Sequence, residues 1–210
     1  MIIPTLFAEN KEEFKKRFEK LIFAKNLHID IMSGKFVKAK SISLSQIPNL
    51  KKYKINFEAH LMIQNPLPLI KKLKQKGFNK IIFHIESKNT EKTLSLIKQN
   101  KLFSFIAINP ETKLEKILPY LSKVNGVLFM GVHPGKEHQK FIPSVYKKIS
   151  QLRKLNKKIK IQVDGGANDK TIPKLARHGV NNINVGSYIS NSEAPRETLK
   201  KLNDLSANNH

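Results

Sequence analysis

The sharpest chemical signal in the chain is the segment His28-Ile29-Asp30-Ile31-Met32. In an extended strand, residues two apart share a face. His28, Asp30 and Met32 therefore project together, and Ile29 and Ile31 project to the other side. Burying an imidazole and a carboxylate on one face is costly unless they pair with each other or bind a cation. A hydrogen-bonded core pair and a pair of metal ligands both meet that condition, and this segment alone leaves both open. The arrangement recurs at Glu58-Ala59-His60-Leu61-Met62, where His60 and Met62 share a face. At Ile161-Gln162-Val163-Asp164-Gly165-Gly166 an aspartate ends an apolar run just before two glycines. Together His28, Asp30, His60 and Asp164 offer two imidazoles and two carboxylates, a set suited to one divalent ion per chain with no sulfur ligand. Spacing does not rank zinc, iron, manganese and cobalt.

The glycines carry a second signal. Gly165 and Gly166 precede a helical segment, and Gly186-Ser187 closes an apolar run before a short helical start. Backbone N–H groups at such turns and helix starts bind anions without a charged side chain. These four residues form a candidate phosphate seat, although tight turns alone would also account for the glycines.

The elements that must position these residues follow from an alternation along the chain. Apolar or β-branched runs occupy Ile2–Phe7, Leu27–Met32, Ile55–Ile63, Lys80–Ile85, Phe103–Ile108, Gly126–Val132, Ile159–Val163 and Asn182–Val185. Between them, lysine-rich amphipathic stretches predict helices near 10–24, 43–51, 66–76, 90–100, 112–122, 143–156, 168–178 and 193–205. Asn65-Pro66, Asn89-Thr90, Pro110-Glu111-Thr112 and Asn168-Asp169 read as helix starts, and Gly77 and Gly179 as C-terminal caps. Eight strand–helix units of roughly 26 residues predict an α/β fold, a single-domain (β/α)8 TIM barrel spanning residues 1–210. In such barrels chemistry sits at the C-terminal strand ends, with phosphate bound after strands seven and eight. Asp30, His60, His84, Asn109, His133, Asp164 and Ser187 all fall at those ends.

Composition excludes several functions. The chain has 210 residues, 40% of them hydrophobic, which suits one core. It has no cysteine, so disulfides, zinc–thiolate sites and a cysteine nucleophile are excluded. The opening residues lack the basic stretch and long apolar run of a signal peptide, and no stretch approaches the roughly 20 apolar residues of a membrane span. The expectation is a cytoplasmic protein with no membrane partner. A formal charge of +23 raises the question of a nucleic-acid partner. Of 39 lysines and arginines, however, only Arg17, Arg153, Arg177 and Arg196 are arginine, the residue best suited to reading bases or gripping phosphates with two bonds. The lysines are spread over the helical stretches. The expectation is a solvated basic surface and no nucleic-acid partner.

Six segments in fixed order extend the picture over nearly the whole chain: Leu27–Gly34 (LHIDIMSG), Glu58–Pro66 (EAHLMIQNP), Phe83–Glu86 (FHIE), Met130–Pro143 (MGVHPGKEHQKFIP), Val163–Gly166 (VDGG) and Val185–Ile189 (VGSYI). In these the sequence resembles the ribulose-phosphate 3-epimerase family. The resemblance implies a metal-dependent epimerase that interconverts D-ribulose 5-phosphate and D-xylulose 5-phosphate, and a homo-oligomer. It assigns the metal to His28, Asp30, His60 and Asp164. Asp30 and Asp164 become the two acid–base groups on opposite sides of the ketose. Met32, Met62 and Met130 match methionines that line the family's site, and Thr5 keeps a hydroxyl where the family has serine. Gly135 and Gln139 bound a loop that the family writes Gly-Phe-Gly-Gly-Gln. Here it reads Gly135-Lys136-Glu137-His138-Gln139, which offers Lys136 or His138 as a phosphate contact. Ser33 replaces a family aspartate, and Val37-Lys38-Ala39-Lys40 replaces a Pro-Asn segment. Another phosphorylated ketose, such as a hexulose 6-phosphate, therefore stays open, as does a barrel that binds sugar phosphate without turnover.

Overall fold

Period-two patterning along the apolar runs decides the architecture. β1 (Ile2–Leu6), β2 (Asn26–Met32), β3 (Asn56–Met62), β4 (Lys80–His84), β5 (Phe103–Ile108), β6 (Gly126–Met130), β7 (Lys160–Asp164) and β8 (Asn182–Val185) pair in parallel in chain order. β8 returns to β1, with Ile2 beside Ile183, and closes the barrel. The computed structural model describes residues 1–136 and 139–209; Glu137, His138 and His210 lie outside the described residues.

One set of strand side chains, including Ile29, Ile31, Ala59, Leu61, Ile161 and Val163, is buried in a core shared with the surrounding helices. The helical partners are the apolar faces of α1 (Lys11–Leu21), α2 (Ile70–Lys76), α3 (Thr90–Gln99), α4 (Ser144–Leu155), α5 (Ile172–Arg177) and α7 (Pro195–Ala207). The short α6 (Ser187–Ser190) follows β8. The alternate strand residues fill the barrel. Ile82, Phe105, Ala107, Leu128 and Met130 make its apolar half on β4–β6. β2, β3, β7 and β8 contribute the buried polar residues His28, Asp30, Glu58, His60, Gln162, Asp164 and Asn184. The expected division between Ile29/Ile31 and His28/Asp30 is therefore realised.

Two expected helices are absent. Residues 43–51 form turns and one 3-10 turn (Leu50–Lys52). Ser43 N–H and Oγ both bond Gln46 Oε1, at 3.1 and 2.8 Å, and such local bonds compete with a helical backbone. Pro48 removes a donor and turns its predecessor away from helical geometry. Ile42, Ile47 and Leu50 are still fully buried, worth about 1.5–3 kcal/mol each, which outweighs the few tenths per residue set by helix propensity. Residues 112–122 form two 3-10 turns, Leu114–Lys116 and Leu118–Tyr120, the second carrying Pro119. Asp164 ends β7, as its place before two glycines predicts. Gly77 caps α2 in the left-handed region, as its position predicts.

Candidate metal centre and substrate cavity

The register of β2 on β3 places His28 beside Glu58, Asp30 beside His60 and Met32 beside Met62. β6 on β7 places Met130 beside Asp164. His28 Nε2 lies 3.3 Å from Asp30 Oδ1 and 3.9 Å from Asp164 Oδ2. His60 Nδ1 lies 3.0 Å from Asp30 Oδ1 and 3.4 Å from Asp164 Oδ2. One ligand atom from each of the four residues falls within 4.8 Å of all the others. The four residues predicted to share an ion are thus brought together.

Donor chemistry fits a cation. Both imidazoles are fully buried and both carboxylates nearly so, and His28 Nε2 has no hydrogen-bond partner. Burial opposes charge on His28, His60 and Asp30, yet mutual pairing prevails. Burial alone would depress His28, but the carboxylates of Asp30 and Glu58 beside it raise it from 6.5 to about 10. His60 also rises against its burial, through Asp164 and Asp30. Burial would raise Asp30, but the imidazoles of His28 and His60 beside it hold it well below the usual carboxylate range. Protons on the histidines would balance the carboxylates when no cation is bound. A divalent cation would do so with both histidines neutral, at the cost of releasing those protons.

The second face of each imidazole is also occupied. His60 Nε2 sits 2.9 Å from His84 Nε2. His84 Nδ1 faces Glu86 Oε2 at 3.3 Å, and Glu86 Oε1 accepts the Asn109 N–H at 3.0 Å. Burial lowers the His84 pKa, with Glu86 opposing, which favours neutral imidazole. With Nδ1 of His60 turned to the carboxylates, its Nε2–H donates to His84, whose Nδ1–H then points at Glu86. His84 and Asn109 therefore stand behind the His/Asp cluster and outside the candidate ligand set. His133, also flagged at a strand end, pairs with Glu111 at the exposed rim.

Above the cluster opens a cavity of about 490 Å³. Its lining includes Asp30, Asp164 and every predicted substrate residue: Thr5, Met32, Met62, Met130, Gly135, Gln139, Gly165, Gly166, Gly186 and Ser187. His28 and His60 are fully buried and do not line it. Gly165 and Gly166 have φ of +95° and +69°, and a Cβ on Gly166 would meet the Phe141 backbone at 2.8 Å. The Gly165-Gly166 corner is therefore closed to larger residues. The Gln139 amide donates to His133 O at 2.6 Å and Lys136 O at 2.9 Å, so it holds its own loop while lining the cavity. Lys136 also lines the cavity; the proposed His138 contact lies outside the described residues. Asn168, Tyr188 and Asn191, none of them expected at the site from the sequence, also reach the lining. Glu58 and Gln162 did carry one, since each stands two residues before a predicted ligand on the same face.

Residues 1–190 match the Ribulose-phosphate 3 epimerase family. The chain is 35% identical over 182 residues to the cytoplasmic isoform of ribulose-phosphate 3-epimerase from Oryza sativa subsp. japonica, covering 84% of this chain and 80% of that protein. It is 30% identical over 208 residues to ribulose-phosphate 3-epimerase from Schizosaccharomyces pombe, covering 96% and 91%. Among solved structures it superposes on 3-hexulose-6-phosphate synthase from Salmonella typhimurium with a TM-score of 0.76 at 14% identity, covering 100% and 99%. At that identity the likeness concerns the fold alone. Among the described residues no helix is long and apolar enough to cross a membrane.

Proposed function

The chain belongs to the ribulose-phosphate 3 epimerase family, and from that premise we propose that it interconverts D-ribulose 5-phosphate and D-xylulose 5-phosphate by moving one proton between two aspartates. The observation that carries this reading is the pair Asp30 and Asp164. They rise from β2 and β7, three strands apart around the barrel, and both line one cavity over one cluster suited to a metal.

Inversion at a carbon beside a carbonyl needs a base on one face and an acid on the other. One aspartate takes the proton, the substrate passes through an enediolate, and the other aspartate returns a proton to the opposite face. His28, Asp30, His60 and Asp164 would hold one divalent ion, zinc, iron, manganese or cobalt, which when bound supplies Lewis-acid stabilisation of the charge left on the substrate oxygen. Met32, Met62 and Met130 wall the cavity with apolar surface and keep bulk water from that charge. Gly165, Gly166, Gly186 and Ser187 would seat the phosphate on backbone N–H groups after strands seven and eight. Thr5 offers a buried hydroxyl without a partner in the cavity wall.

A second reading, epimerisation of another phosphorylated ketose such as a hexulose 6-phosphate, draws support from the Lys136 loop and from the rim residues Asn168, Tyr188 and Asn191. A coupled assay across pentulose and hexulose phosphates separates the two. The expected result is turnover of ribulose 5-phosphate that chelation abolishes and a divalent ion restores. Metal-loaded, folded protein that turns over neither class would overturn the epimerase reading.

A further inference from the structure

Below the ligands lies a buried layer that the reaction does not use. The strand register sets His28 of β2 beside Glu58 of β3, and Glu58 beside Lys80 of β4, in one row across three strands. Glu58 is 3% exposed, and a buried carboxylate is stable only when each oxygen is matched. Its Oε1 accepts from His28 Nδ1 at 2.6 Å and from the Gln162 amide, and its Oε2 pairs with the Lys80 ammonium. Gln162 Oε1 accepts from Lys80 Nζ at 3.0 Å, and that ammonium sits 4.3 Å from the centre of the Phe105 ring. Glu58 is therefore held on two sides before it reaches His28.

His28 Nδ1 has two neighbours that demand opposite tautomers. The Asn184 Nδ2, at 2.9 Å, could donate only to a bare nitrogen. The Glu58 carboxylate, at 2.6 Å, needs a proton on it. The charged acceptor is closer and its bond roughly twice as strong, so Nδ1 carries the hydrogen. Asn184 stays anchored through its Oδ1, which accepts from Gln162 at 2.7 Å. Neutral His28 then has its lone pair on Nε2, the buried atom without a partner that faces Asp30 and Asp164.

We propose that Glu58, braced by Lys80 and Gln162, is a positioning residue for the metal centre: it fixes the tautomer of His28 and so makes Nε2 the ligand atom. The proposal rests on His28 being a metal ligand. In Glu58→Gln the side-chain amide can donate to Nδ1, which moves the imidazole hydrogen onto Nε2, where it blocks the ion. Removing such an outer partner lowers metal affinity about 10–100-fold.

The test measures zinc affinity of the full chain by competition with a chromophoric chelator, for the parent, Glu58→Gln, His28→Asn and the double variant, each checked for fold by circular dichroism. The expected result is a 10–100-fold loss in Glu58→Gln and little further loss when the same change is made in His28→Asn. That non-additivity marks an effect routed through His28, which a general loss of structure or charge would not give. Parent-like affinity in Glu58→Gln, or an equal loss in both backgrounds, overturns the positioning role alone. A parent that takes up no zinc, or a His28→Asn variant that binds like the parent, overturns the metal reading and the proposal with it. Should Glu58→Gln fail to fold, nitrogen-15 NMR of the zinc-loaded parent decides: a proton on His28 Nδ1 with zinc on Nε2 supports the proposal, and zinc on Nδ1 refutes it.

Discussion

Gly131→Ala tests how the barrel holds Asp164. Gly131 follows β6; its N–H donates to Asp164 O at 2.6 Å and its own O accepts from Ile142 N at 2.8 Å. A Cβ there would lie 2.3 Å from Gly165 O and 2.7 Å from the Phe141 ring. Carbon–oxygen contacts settle near 3.3 Å, so about 1 Å of overlap must be relieved. The obstructing oxygen belongs to the residue next to Asp164, and its backbone must move. Overpacking of this kind costs about 1–3 kcal/mol, with each kcal/mol lowering Tm by about 2–4 °C in a domain of this size. A shift of about 1 Å in a catalytic group costs about 100-fold in rate. Gly131→Ala should therefore fold with a reduced Tm, keep most of its metal through β2 and β3, and lose about 10–100-fold in kcat. Gly126→Ala is the control on the same strand. Its Cβ would lie 2.4 Å from the Phe105 ring and 2.6 Å from Lys160 O, similar crowding at the opposite end of the barrel. It should lose comparable Tm and far less kcat than Gly131→Ala. Thermal melts with the coupled epimerase assay check both variants. Parent kcat in Gly131→Ala, or equal kcat losses in the two variants, would refute the reasoning.

Two further outcomes follow from the site. Asp30→Asn and Asp164→Asn should each lower kcat by about 10²–10⁴ or more, because each direction needs both groups. Asp30 lies closer to both imidazoles, at 3.3 and 3.0 Å against 3.9 and 3.4 Å for Asp164, so its replacement should also release more metal in elemental analysis. A variant that keeps metal and near-parent turnover removes that residue from the base role. Lys136→Ala should raise KM for the phosphorylated ketose severalfold with metal content unchanged; an unaltered KM leaves the phosphate to the glycine corner and Ser187.

Much of the candidate site was legible because strand periodicity is local. Alternation alone put His28 with Asp30 on one face, His60 with Met62 on another and Asp164 at the end of a third. Eight such runs, separated by amphipathic stretches, specified a closed parallel barrel with its polar residues at one end. The same rule placed Glu58 with His60 and Gln162 with Asp164, although a glutamate in an apolar strand carries no sign of its partner. Segment 43–51 has apolar spacing that fits 3.6 residues per turn yet forms no helix, because serine side chains and Pro48 satisfy or block its backbone in ways that depend on docking.

Tertiary structure alone decided the convergence. Asp30 and Asp164 meet at His60 Nδ1 because β2, β3 and β7 are bent into one barrel with a particular register, and register is set by hydrogen bonds between strands, not within them. The same holds for the nitrogen each histidine presents. A ring turns its lone pair away from whichever acceptor takes its hydrogen, and those acceptors, Glu58 for His28 and His84 for His60, lie on neighbouring strands about 30 residues further along or less. Residue type and spacing determined that an ion could be held here; only the closed barrel determined which atoms would hold it.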